Sequence, residues 1–226
     1  MVDRTDDDTT TALYRWTRGL GIGAVQATVY FGVSHLDLHR STELFRTRLD
    51  DLIPFWPWTA WFYLPVYAAI FLIAIGGFRS RDLFNRALRA VALVMFVGAL
   101  GHLFVRAEYP RPLLHPPYAD LSTTFMAWVQ RVDRPGNVFP SLHVAQTSTL
   151  AFLLYRDRPR LGLAAIVLGA ILALSTLTTK QHFIADVISG YALVWAACAF
   201  ALRGWPGRAD PVTRAAATHL GGGKTG

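Results

Sequence analysis

The sequence is short of cysteine, of charge and of internal repeats, and each shortage removes a class of protein. One cysteine, Cys198, stands in 226 residues, so no internal disulfide is available and covalent staples take no part in the fold. Charged residues make up only 16% against 53% hydrophobic, and mean hydropathy is positive, a balance too apolar for an ordinary soluble domain. No repeating segment marks a solenoid or a second domain. The opening "MVDRTDDDTTTALYRWTR" is acidic and polar where an export signal needs a basic start running into an apolar core. The first membrane helix is therefore expected to stay in the mature protein.

What is present is a series of apolar runs. Six stretches, about 19–36, 54–78, 87–105, 141–155, 161–179 and 183–202, approach the roughly 17 to 25 residues that cross a bilayer as a helix. The expected architecture is all-α: a polytopic six-helix membrane bundle over 19–202, with a cytoplasmic segment 1–18, a flexible cytoplasmic tail 203–226, and a long extracytoplasmic loop between the third and fourth spans. With both termini cytoplasmic, the short basic turns "RSRDLFNR" and "RDRPR" fall inside, and the whole net excess of +7 lies on that face. The arginines are scattered through short turns and form no continuous groove, which argues against nucleic acid as a partner.

The remaining ionisable residues gather on the opposite side. The long loop contains "LSTTFMAWVQRV", which reads as a short amphipathic helix at the interface. Around it stand "EYPRP" with Arg111, "FPSLH" with Ser141 and His143, and "TTKQHFIAD" with Lys180, His182 and Asp186. His182 and Asp186 are four apart, so on a helix they stack on one face and the carboxylate can accept from the imidazole. A charged residue within a span costs about 2.5 to 3.5 kcal/mol and marks a working site. His102, alone in "VGALGHLFV", reads as a packing residue.

Two histidines, a carboxylate, cations and a hydroxyl suit phosphoryl transfer: a base or nucleophile, its orienting partner, a second proton-transfer group and donors for an anion. Two imidazoles and a carboxylate are also a familiar zinc ligand set, so a metal-dependent intramembrane hydrolase is the alternative from another class. A silent scaffold that keeps these residues for packing is the third reading.

The order R-P, then P-S-x-H, then H-x-x-x-D opening a membrane helix resembles the type 2 phosphatidic acid phosphatase superfamily. The resemblance implies that His182 becomes a phosphohistidine, that Asp186 orients it, and that His143 is the acid for the leaving group. It further implies that Ser141 and Arg111 bind the phosphate and that no metal or other cofactor is needed. The family pattern has a lysine where this chain has Phe104, a glycine at Leu142 and an arginine at Thr176. Arg106 and Lys180 are the candidates to replace the missing charge at the phosphate.

A basic residue two before the nucleophile, an aromatic after it, "FPSLHVA", and "DDLIPFWPWTAWFYLPVY" resemble the inositol phosphorylceramide synthase-like subgroup. That likeness implies an integral-membrane phosphotransferase moving a phosphorylated headgroup from a membrane lipid to an alcohol or polyol, with the active site at the extracytoplasmic face of the cell membrane. Water as the acceptor would instead make a lipid phosphate phosphatase, since both share the first half-reaction. Trp56, Trp58, Trp61 and Tyr63 are expected to form an interfacial aromatic belt. The tail "GGGKTG" imitates a phosphate loop, but no helix follows it to complete an anion site.

Overall fold

The computed structural model describes residues 10–36 and 44–205. Both ends of the chain, 1–9 and 206–226, lie outside the described residues, and with them "GGGKTG" and most of the expected tail. Among the described residues the chain is helical, without strands. In order come α1 (Ala12–Ser34), α2 (Arg48–Leu52), a 3-10 turn (Pro57–Phe62), α3 (Leu64–Gly77), α4 (Arg81–Phe104), α5 (Leu121–Val132), α6 (Leu142–Asp157), α7 (Pro159–Thr178) and α8 (Ile184–Leu202).

Among the described residues, four segments are long and apolar enough to cross a membrane: Pro57–Gly77, Arg81–Phe104, Pro159–Thr178 and Ile184–Leu202. They coincide with the expected second, third, fifth and sixth spans and have the length and composition that a membrane protein requires. The other two stretches also form helices, α1 and α6, which fall short of that measure. α6 has only 16 residues.

The reason lies in where α6 sits. It packs against α3, α4, α7 and α8, and Gln146, Thr147 and Thr149 on it are fully buried. A helix enclosed by other helices meets protein in place of lipid, so it can carry polar side chains that find partners there. Thr147 Oγ1, for example, donates to the His143 carbonyl at 2.6 Å.

Helix boundaries extend past the apolar runs where charged turns are satisfied. α4 begins at Arg81, capped by Ser80, whose hydroxyl accepts from the Leu83 amide at 3.2 Å. Arg86 in its first turns donates to Asp82 at 2.8 Å and to the Ala201 and Arg203 carbonyls at 2.8 and 2.9 Å. It thereby ties the start of α4 to the end of α8.

Two glycines allow the approaches that bring the histidine-bearing turns together. A Cβ on Gly190 of α8 would lie 2.9 Å from the Ser141 carbonyl oxygen, and one on Gly101 of α4 would lie 2.7 Å from that of Phe139. The turn before α6 is thus clasped between α4 and α8, and His102 contributes a contact from Nε2 to the Pro140 carbonyl at 3.2 Å.

The amphipathic helix read in "LSTTFMAWVQRV" is α5. Asp120 caps it, accepting from the Thr123 amide at 2.7 Å. Its apolar face sets Met126 and Val129 against Ala60 and Tyr63. Trp56, Trp58 and Trp61 are exposed, as a belt requires, but Tyr63 is fully buried. Tyr63 leaves the belt because α5 covers it and because its hydroxyl has polar partners inside.

Candidate active site

α7 ends in a reversal that places His182. Lys180 takes the left-handed conformation with φ of 57°, and the next two amides, Gln181 and His182, donate to the Thr176 carbonyl at 3.0 and 3.2 Å. This is how a helix satisfies its last carbonyls on turning back. Thr176, where the family pattern has an arginine, thus anchors this turn through its backbone.

His182 stands before α8 and not on it. Phe183 is the N-cap, and Asp186 at the third helical position accepts from the Phe183 amide at 2.7 Å through Oδ2. The same oxygen lies 3.4 Å from Nδ1 of His182. The expected pairing is therefore made across a helix start, with the carboxylate serving as cap and as imidazole partner. Nδ1 also lies 3.0 Å from the Val138 carbonyl. A carbonyl only accepts, so Nδ1 holds a proton, and in the neutral imidazole Nε2 carries the lone pair.

Ser141 caps α6. Its Oγ accepts from the Val144 amide at 3.5 Å, and its own amide donates to the Asp186 carbonyl at 3.1 Å. His143 follows in the first turn, and its ring centroid lies 5.8 Å from that of His182. The structure thus brings His182, Asp186, Ser141 and His143 into one cluster, in which Asp186 is 0%, His182 3% and His143 6% exposed.

Arg111, between α4 and α5, is tied to the residue next to the cluster. Its Nη1 donates to the Asp133 carbonyl and to Gln181 Oε1, each at 2.6 Å, and Nη2 donates to the Gln130 carbonyl at 2.6 Å. Nε is buried without a partner. Burial pushes this guanidinium below its ordinary value, with nearby Asp133 opposing the shift. Arg111 therefore fastens the end of α5 to the residue preceding His182 and keeps an N–H in reserve.

The two candidate replacement cations are engaged elsewhere. Lys180 Nζ donates to the Asp50 carbonyl at 2.7 Å, while Asp50 Oδ1 accepts from the Ile184 amide at 2.8 Å. Together they clamp α2 onto the start of α8. Arg106 is exposed, with Nε 3.4 Å from the Leu103 carbonyl at the end of α4. Neither cation has a hydrogen bond to the histidine cluster, because each backbone turn offers a carbonyl within reach of the side chain.

Three partners of His143 escaped sequence reasoning. The Tyr63 hydroxyl lies 3.1 and 3.2 Å from the two ring nitrogens and also donates to Asp133 Oδ2. Tyr30 donates to Asp133 Oδ1. The rings of Tyr30, Tyr63 and Tyr67 lie 5.9, 4.6 and 4.9 Å from that of His143. Tyr30 comes from α1, whereas Tyr63 is the residue before α3 and Tyr67 stands four residues on within it, so a local spacing links only the last two. The one available signal was Asp133, an acidic residue closing an amphipathic helix.

No group of three or more His, Cys, Asp or Glu side chains is arranged to hold a metal ion among the described residues. Asp186 and the Val138 carbonyl share one nitrogen of His182, while His143 meets the Tyr63 hydroxyl. These contacts serve proton placement. No curated protein and no solved structure matches the chain. The model of the PAP2 superfamily does match, over residues 35–200, which takes in both histidine-bearing turns and leaves α1 outside. On that coverage the chain belongs to the PAP2 superfamily and is a phosphatase-type enzyme.

Proposed function

We propose that the protein is an integral-membrane lipid phosphotransferase working through a phosphohistidine on His182, akin to inositol phosphorylceramide synthase-like enzymes. The observation that carries this reading is the hold on Nδ1 of His182 by the Val138 carbonyl at 3.0 Å and Asp186 at 3.4 Å. It leaves Nε2 as the nucleophilic nitrogen.

In the first half-reaction Nε2 bonds to phosphorus while the bond from phosphorus to the leaving alkoxide breaks. His143 gives that oxygen its proton. In the second, an alcohol hydroxyl attacks phosphorus, its proton passes to His143, and the P–N bond breaks to restore Nε2. Arg111 and Ser141 bind the phosphoryl oxygens, and Lys180 and Arg106 add positive charge farther out. The chemistry needs neither a metal nor another cofactor.

The burial of His143, His182 and Asp186 favours an alcohol over water, because exclusion of water protects a phosphohistidine from hydrolysis. The alternative is a lipid phosphate phosphatase with water as the acceptor. The donor is a phosphorylated membrane lipid and the acceptor an alcohol or polyol, with nucleic acid no part of the function. In this reading six helices cross the cell membrane over 19–202, both terminal segments are cytoplasmic, and the site opens on the extracytoplasmic side.

The test uses purified wild type and His182→Ala with a set of lipid phosphates and phospholipids, with and without polyols and with and without chelator. New phosphorylated product that depends on His182 and on acceptor, at the expense of free phosphate, is the expected result. Phosphate release that ignores the acceptor would make it a phosphatase. Loss of activity on chelation, restored by zinc, would move the reading to a metal hydrolase.

A further inference from the structure

A cavity of about 390 Å³ runs between α1, α3 and α6 and ends at the candidate active site. Its sides are apolar, with Ala24, Phe71 and Leu72 among them, while His143 and Asp133 line its polar end. Just below that end stand two glutamines that the phosphoryl chemistry does not use. Gln26 of α1 is 9% exposed and Gln146 of α6 is 0% exposed, and both line the cavity.

The two amides bond to each other. Gln26 Nε2 donates to Gln146 Oε1 at 2.6 Å, and the Tyr67 hydroxyl donates to the same oxygen at 2.7 Å while accepting from Gln26 Nε2. Gln26 Oε1 and Gln146 Nε2 are left buried without partners. Turning both amides over exchanges the atoms but leaves one oxygen and one nitrogen unused, so the count does not depend on their orientation. An unpaired carbonyl oxygen and an unpaired NH₂, carried by two bonded residues that both line one cavity, suit a group that donates and accepts at once.

We propose that Gln26 and Gln146 bind a hydroxyl or secondary amide of the lipid substrate, located where its chains join the phosphorylated head, and so select lipids by their backbone. The position fits that role. Gln146 lies one turn along α6 from His143, roughly 4.5 Å of rise, so a phosphoester at the histidines places the first few atoms of the lipid beside the glutamines. A backbone with only ester carbonyls satisfies the Gln146 NH₂ but offers nothing to Gln26 Oε1. A site with an unanswered buried acceptor discriminates strongly against such a ligand. The inference rests on the lipid phosphotransferase reading for the identity of the ligand, while Gln26 itself, on α1, lies outside the stretch matched by the family model.

The experiment compares three lipid phosphates of matched chain length: an N-acyl amino-alcohol phosphate with amide and hydroxyl, a monoacylglycerol phosphate with a hydroxyl, and a diacylglycerol phosphate with neither. Wild type should prefer the first two to the third by tenfold or more in kcat/KM, and the order of the first two tells amide from hydroxyl. Gln26→Leu and Gln146→Leu should each shrink that preference at least threefold. Calorimetric binding of the same lipids to His182→Ala reads the preference without turnover, so failure of the phosphohistidine chemistry and failure of the subsite appear separately. Equal binding and equal use of all three lipids by wild type would overturn the proposal, even where a leucine variant fails to fold. So would leucine variants that fold and keep the full preference.

Discussion

Nδ1 of His182 lies 3.4 Å from Oδ2 of Asp186, an oxygen that also accepts from the Phe183 amide at 2.7 Å. One carboxylate thus opens α8 and orients the imidazole beside it. In Asp186→Asn an amide oxygen in the place of Oδ2 still accepts from the Phe183 amide and faces Nδ1, but the negative charge that stabilises the imidazole as Nε2 bonds to phosphorus is lost. Turnover should fall by about 10²-fold or more, with the thermal unfolding midpoint little changed. Rapid quench with a radiolabelled lipid phosphate should trap an acid-labile phosphoprotein in wild type and none in His182→Ala. Undiminished turnover in a folded His182→Ala protein would remove the nucleophile.

Asp133 reaches His143 through the Tyr63 hydroxyl. Tyr63 has one proton, and giving it to Asp133 leaves its oxygen free to accept from His143. Tyr63→Phe breaks that link and deprives a buried carboxylate oxygen of a donor, at about 1 to 3 kcal/mol of stability. If His143 is the acid for the leaving oxygen, the defect should appear in kcat and not in KM, by about tenfold. Donors with more acidic leaving groups should suffer less. An equal loss for good and poor leaving groups would give Tyr63 a purely structural part.

Much of this arrangement could be read from the residues in order. Four apolar runs were plain because lipid-facing helices must be apolar on most sides, and the motif residues His143, His182 and Asp186 carried their spacing with them. α6 was harder, because the helices around it let it keep Gln146, Thr147 and Thr149. In α1, Gln26 is a polar residue within an apolar run, and the fold gives it Gln146 and Tyr67 as partners. Tyr30, Tyr63 and Asp133 converge from α1, the residue before α3 and the end of α5. Such a meeting is a property of packing and leaves no periodic trace.

The cations divide by what they hold. Arg111 spends three donors on α5 and Gln181 and keeps a buried N–H, so Arg111→Lys should raise KM for every phosphorylated donor, tenfold or more, since a single ammonium cannot span these partners. Lys180 is fastened to the Asp50 carbonyl, and Lys180→Met should lower stability more than it changes KM. Burial also holds the Lys180 ammonium below its ordinary value of 10.5, with Asp50 and Asp51 opposing. The unfolded chain then binds that proton more tightly than the folded one, so between the two values this group makes stability rise with pH. Unfolding midpoints of wild type measured against Lys180→Met should diverge in that direction as pH climbs towards 10.5. A large KM effect at Lys180 with unchanged stability would instead put its ammonium on the phosphate.

The approach of α8 to α6 sets the distance between the two histidine-bearing turns, and Gly190 permits it. A methyl group there would stand 2.9 Å from the Ser141 carbonyl oxygen and 3.3 Å from Val144 Cβ. Both neighbours belong to the start of α6, so the helices must separate by a few tenths of an ångström. Gly190→Ala should cost about 1 to 3 kcal/mol as an overpacked contact. It should also stretch the 3.1 Å bond from the Ser141 amide to the Asp186 carbonyl and reduce turnover. Gly21→Ala is the control: nothing lies within 4 Å of its added carbon, and its effect on stability should stay within about 1 kcal/mol. Thermal unfolding and turnover of both variants in one detergent decide the matter. Matched losses at the two glycines would mean that the α6–α8 contact does not set the site, whereas a joint loss at Gly190 alone ties the packing of these helices to the chemistry between them.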